Sequence, residues 1–154
     1  MITARRACLG ALVALLACHP GDAPPGTLDT KNETCRSCRM PVSDAHLACQ
    51  LAAAGEEPRF FDEIGCLQSF LKQNGPSTAH SVAYVADHRT GAWVRASTAT
   101  YSHCPSLETP MGSHMIAHAD PASRDADAAA RACTGVPEAE IFGPGGPPNG
   151  KKAG

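Results

Sequence analysis

A Pro-, Gly-, Asp- and Thr-rich run, HPGDAPPGTLDTKNE at 19–33, separates a short apolar leader from the rest of this 154-residue chain. A run of that composition cannot bury a core, so it reads as a flexible tether. The stretch 143–154 is Gly- and Pro-rich, carries Lys151 and Lys152, and reads as a disordered tail. What remains, 34–142, is about 110 residues, enough for one domain with a modest core. Aromatic residues are only 5% of the chain, so that core must lean on Leu, Val, Ile and Ala.

The leader at 1–17 has the form of a lipoprotein signal peptide. Arg5 and Arg6 supply a basic start, and 9–17 is apolar but too short to span a bilayer. It closes on Leu15-Leu16-Ala17-Cys18, which resembles a bacterial lipobox. On that reading Cys18 is lipidated and becomes the first mature residue, and Cys8 leaves with the leader. The expected location is extracytoplasmic, on the periplasmic side, with the chain tethered to a membrane through its lipid. His19 rather than Asp after Cys18 favours the outer membrane. The competing reading is an ordinary signal peptide cut nearby, with Cys18 incidental.

The formal net charge is −2, and loss of Arg5 and Arg6 makes the remainder more acidic. No basic stripe is present, so nucleic acid is not an expected partner. Beyond Cys18 the chain holds Cys35, Cys38, Cys49, Cys66, Cys104 and Cys133. An even number of thiols in an oxidising compartment suggests disulfides. Spacing alone does not settle their pairing, although Cys104 with Cys133 is a candidate structural bridge.

The chemistry concentrates in Cys35-Arg36-Ser37-Cys38-Arg39-Met40, two thiols and a thioether within six residues. Thiolate and thioether sulfur are soft ligands and select Cu(I) over hard or borderline ions. A zinc site would more often bring a second Cys pair or two His at matching spacing. In an extended segment Cys38 and Met40, two apart, share a face, so one ion can take both sulfurs. Thiolate binding releases a proton, so affinity should fall in acid.

The expected elements alternate between short strands and helices. A strand at 46–53 carries Leu47, Cys49 and Leu51 on one face, and a turn at 55–58 leads to a second strand from Arg59, a hairpin. Asp62 is a good N-cap for a helix with Ile64, Leu67, Phe70 and Leu71 at helical spacing, stopped by Asn74-Gly75. Strands follow at 81–86 and 92–96, with a turn at 87–91 between them. A short element surrounds Tyr101, a loop follows at 109–112, and a strand at 116–119. An Ala-rich helix then runs from Asp120-Pro121 to about Cys133. The class is α+β.

Four motifs in order resemble a known family: Cys-x-x-Cys-x-Met-x-Val at 35–42, Phe-Phe-Asp-Glu-Ile-Gly-Cys-Leu at 60–67, Tyr-Val-Ala-Asp-x-x-Thr-Gly-x-Trp-Val-x-Ala at 84–96, and Thr-Pro-Met-Gly-Ser at 109–113. Ala119-Asp120 agrees as well. Across 34–133 the chain resembles the NosL family of copper-binding lipoproteins, associated with assembly of nitrous oxide reductase. The resemblance implies a fold of two ββαβ-like units, related in shape to part of the organomercurial lyase MerB. It implies Cu(I) bound by Cys38 and Met40, with Met111 of the Pro-Met-Gly loop as a third ligand. It also implies a metallochaperone that takes copper from a donor and passes it to a client cuproenzyme, nitrous oxide reductase. Such a carrier works by ligand exchange and is not an enzyme.

Other residues stay open. Cys66, in the first turn of the helix after Asp62, is a fourth soft ligand, a resolving thiol for Cys35 or Cys38, or a buried small hydrophobe; a helix N-terminus would lower its pKa. Cys35 is a further ligand candidate. His114 follows the Pro-Met-Gly loop and would add an imidazole, against the plainer reading of a solvated loop. Asp62 with Glu63 reads as a capping pair rather than acid/base machinery. A thiol-disulfide oxidoreductase using Cys35 and Cys38 is the main alternative, although the preceding strand and following helix of a thioredoxin-like motif are missing. A structural lipoprotein stapled by disulfides is another. Carbon–mercury cleavage would rest on fold analogy alone.

Overall fold

The structure is a computed structural model and describes residues 22–75 and 80–150. The leader and Cys18 lie outside the described residues. Among the described residues seven strands and three helices follow in order: β1 (Cys49–Ala52), β2 (Arg59–Phe61), α1 (Ile64–Asn74), β3 (Val82–Ala86), β4 (Trp93–Arg95), β5 (Thr100–His103), β6 (Met115–His118), α2 (Pro121–Ala126), β7 (Thr134–Val136) and α3 (Glu138–Phe142). Short 3-10 turns occupy Ala96–Thr98 and Ala128–Ala132.

These elements make two antiparallel sheets, ordered β2-β1-β3-β4 and β6-β5-β7. The segments β1-β2-α1-β3 and β5-β6-α2-β7 repeat one plan: a hairpin, a helix, then a strand that returns to the free edge of the hairpin's first strand. The two ββαβ-like units expected from the family resemblance are therefore present. The first hairpin sets Cys49 opposite Phe61, and β3 pairs the other edge of β1 with Val85 opposite Cys49.

The main core lies between the units. Alternation along β1 sends Cys49 and Leu51 inward, where they meet Phe61, Ile64, Leu67, Val85, Tyr101 and Ala117. Gln50 points to the opposite face yet is fully buried. Its side chain closes a double bond with Gly26, accepting from the Gly26 N–H at 2.7 Å and donating to the Gly26 carbonyl at 3.1 Å. The Tyr84 hydroxyl donates to the Ala23 carbonyl at 2.8 Å on the same face. Pro148 and Gly150 pair with the start of β3 and with Ser81. The described parts of the stretches expected as tether and tail thus lie along the first sheet. Hydrogen bonds to their backbone groups hold them there, and composition registers only what side chains can bury.

Other differences from the sequence reading have local causes. The last helix is not continuous to Cys133. Asp127 is extended, at φ −85° and ψ 117°, and its carboxylate accepts from the Ala129 N–H, so α2 ends and a 3-10 turn begins. Asp62 does not cap α1. Glu63 occupies the N-cap position, with no side-chain cap bond, and Asp62 turns elsewhere. The stop at Gly75 holds: it adopts φ 68° and its N–H donates to the Leu71 carbonyl. β7 and α3 were not expected; Ile141 of α3 enters the main core. Cys104 and Cys133 are joined in a disulfide.

Candidate metal centre

The Cys35–Met40 segment is a closed loop rather than an extended run. The Val42 N–H donates to the Glu33 carbonyl, the Cys35 N–H to the Met40 carbonyl, and the Arg39 N–H to the Cys35 carbonyl. Arg39 must adopt φ 68°, a left-handed conformation that costs a non-glycine residue on the order of 1 kcal/mol. The extended geometry expected to bring Cys38 and Met40 onto one face is therefore absent. The loop is anchored to the first sheet, because the Arg36 N–H donates to the Phe60 carbonyl of β2 at 2.8 Å.

That anchor carries the loop's thiols to the start of α1. One ligand atom each from Cys35, Cys38, Asp62 and Cys66 lies within 4.8 Å of the others. Cys35, Asp62 and Cys66 are buried, and Cys38 is half-buried at the rim. The Cys38 thiol donates to Asp62 Oδ2 at 3.1 Å. Asp62 Oδ1 is buried with no hydrogen-bond partner, and so is Glu63 Oε2. An unpaired buried polar atom costs on the order of 1–3 kcal/mol, and buried acids usually pair with a cation or coordinate a metal. Three sulfurs with an orphaned carboxyl oxygen form a donor set that can hold a metal.

Among the described residues the four cysteines outside the disulfide are free thiols, and burial is the main influence on the acidity of Cys38, Cys49 and Cys66. Burial pushes the Cys38 thiol up to about 11; the Met40 backbone opposes it, and the hydrogen bond to Asp62 adds a lesser rise. Burial, with Asp62 beside it, also drives Cys66 strongly upward. The expectation that the helix N-terminus would lower Cys66 is overturned. The dipole's favourable field is small beside the loss of hydration in a site shared with an acid. Cys49 lies deeper, fully buried, and is raised by burial and by the negative fields of Glu63 and Asp62.

The two methionine candidates sit at the surface. Met40 and Met111 are each 56% exposed, the two exposed large hydrophobic side chains among the described residues, so neither fills a gap in the core. Met111 lies in a turn closed by the Gly112 N–H donating to the Thr109 carbonyl, with Gly112 at φ 72°. This loop reaches the cysteine cluster through Gly65. A Cβ built on Gly65 would lie 2.9 Å from Ser113 Cβ and 2.6 Å from Glu63 Oε1. The missing side chain at 65, next to Cys66, is what lets the 111–113 loop seat on the helix start. His114 is half-buried; its Nδ1–H donates to the Leu107 carbonyl at 2.7 Å, and its ring meets His103 edge-on at 6.1 Å.

Asp62 is the member of the cluster that the sequence reading missed. An acid before a helix has two uses, capping and ligation, and the capping use is the commoner. The spacing Asp62-x-x-x-Cys66 was the available signal.

Compared with known families, the chain matches NosL over residues 27–137. No curated protein and no solved structure matches it.

Proposed function

The chain belongs to the NosL family, and on that premise we propose that it is a membrane-tethered Cu(I) metallochaperone acting outside the cytoplasm. The observation that carries the reading is the convergence of Cys35, Cys38, Cys66 and Asp62 within 4.8 Å, with Asp62 Oδ1 buried and unpaired. Soft thiolates favour Cu(I), which accepts low and variable coordination. Copper is cargo here, not a resident cofactor.

Cys38 is the half-buried thiol of the cluster, with the exposed thioether of Met40 two residues on. A donor or client ligand would enter at that rim while Cys35 and Cys66 hold the ion from inside. Met111 would supply a second exposed sulfur from the loop seated against Gly65. Transfer would proceed by ligand exchange, with no redox change and no catalysed reaction. Lipidation of Cys18 would hold the carrier at a membrane, with His19 after it favouring the outer one. The client would be a cuproenzyme, with nitrous oxide reductase the one that the family association favours.

A thiol-disulfide oxidoreductase needs an accessible thiolate. Cys38, raised to about 11, supplies little of it near neutral pH. The deciding experiment is an anaerobic Cu(I) titration of the reduced chain against a chromophoric chelator, for the parent, Cys38→Ser and Met40→Ala. Tight equimolar binding that weakens in both variants supports the chaperone. No competition by the parent refutes it.

A further inference from the structure

A second group of metal-binding side chains lies where the two sheets meet and shares no residue with the thiol cluster. His88 follows β3 in the turn before β4, His118 ends β6, and Asp127 sits at the break between α2 and the 3-10 turn. One ligand atom from each lies within 4.8 Å of the others. His88 Nδ1 is 2.6 Å and His118 Nε2 is 3.0 Å from the same oxygen, Asp127 Oδ2. The two rings stand edge-on with centroids 6.1 Å apart.

We propose that His88, His118 and Asp127 form a binding site for a borderline divalent cation, Zn2+ or Cu2+, separate from the thiol cluster. Two imidazoles and one carboxylate are the donor set that such ions favour, whereas Cu(I) favours sulfur. Two observations carry this. Two ring nitrogens already converge on one carboxylate oxygen, the three residues coming from three separate elements. The other Asp127 oxygen is oriented by the Ala129 N–H at 2.9 Å, the outer support that metal-binding carboxylates commonly have.

The site is reachable, because the His88 side chain keeps 16% of its surface exposed. Entry of the ion replaces the two hydrogen bonds to Asp127 with coordination, and the proton of each coordinating nitrogen shifts to the other nitrogen of its ring. The His88 backbone N–H donates to the Ala117 carbonyl at 2.8 Å, which ties this turn to β6. A bound ion would clamp the β3–β4 turn to β6 and to the end of α2. It would therefore tie the first unit to the second.

The test is a Zn2+ titration of the full reduced chain followed through the ring-carbon NMR resonances of its histidines. The parent, Cys38→Ser and His88→Ala are compared. The expected result is that Zn2+ shifts the signals of two histidines in the parent and equally in Cys38→Ser. In His88→Ala one of those signals is missing, and affinity at the other falls by roughly tenfold or more, since even outer-shell partners are worth that much. If no histidine signal moves while zinc is bound, the ion sits at the thiols and the proposal is overturned. An undiminished response in His88→Ala overturns it too. Should His88→Ala fail to fold, the parent and Cys38→Ser titrations still decide between histidine and thiol ligation. Failure of this site leaves the thiol cluster's copper binding untouched, because its donors are different atoms.

Discussion

Gly65→Ala tests whether the seat of the 111–113 loop against α1 matters for copper. Two effects oppose each other. Alanine is a better helix former than glycine by about 1 kcal/mol in a helix interior, and by less in a first turn. Against that, the new methyl would sit 2.6 Å from Glu63 Oε1 and 2.9 Å from Ser113 Cβ. Glu63 is only 1% exposed, so its side chain cannot swing into water to make room. Ser113 Cβ is one bond from the backbone, so relief there means moving the loop. Overpacking of this kind costs about 1–3 kcal/mol. The clash therefore outweighs the propensity gain, and the net loss should be about 1–2 kcal/mol. Urea unfolding should show a lower midpoint with an unchanged slope, and Tm should fall by roughly 3–6 °C. Cu(I) affinity should fall as well, because Met111 rides on the displaced loop. A variant as stable as the parent, with unchanged Cu(I) affinity, would refute both the packing argument and the assignment of Met111.

Met40→Ala should separate binding from folding: the side chain is 56% exposed, so stability should change by less than about 0.5 kcal/mol in urea unfolding while Cu(I) affinity drops in chelator competition. Asp87 gives a pH signature. Burial alone would raise its carboxyl, but the Ser123 hydroxyl, the Ala119 N–H, and the Thr90 hydroxyl and N–H hold it well below the usual range. Its folded pKa is thus depressed, so its contribution is fully present above about pH 4, the ordinary carboxyl value, and drains away as pH falls below it. Denaturation measured from pH 7 down to pH 3 should show that loss in the parent and a flatter profile in Asp87→Asn. Reducing the Cys104–Cys133 bridge, whose ends are 29 residues apart, should cost about 3–4 kcal/mol by loop entropy, read as a shift in guanidinium midpoint with and without reductant.

Short-range physics was legible in the chain. Alternation marked β1, a turn marked its hairpin with β2, and apolar spacing with Asn74-Gly75 marked α1 and its stop. These features rest on residues close in sequence, where periodicity and turn chemistry act directly. The Cys104–Cys133 pairing was also within reach. β7 and α3 were not: β7 is three residues paired to β5, and α3 is a short helix held by Ile141 in the core. Neither carries a pattern of its own, because tertiary contacts supply their stability.

The sequence by itself determined the fold class, the doubled ββαβ plan carried by the family's motifs, and the concentration of sulfur-bearing side chains at 35–40. Tertiary structure decided which donors meet. Cys66 and Asp62 join Cys35 and Cys38 because the 33–42 loop is pinned to β2 beside the start of α1. Asp127 breaks a helix that composition would continue, because it caps Ala129 while accepting from two histidines on other elements. A side chain with two possible partners is ambiguous along the chain. Folding resolves it, because only the folded state reveals which partner lies within hydrogen-bonding distance and which is buried with nothing else to bind.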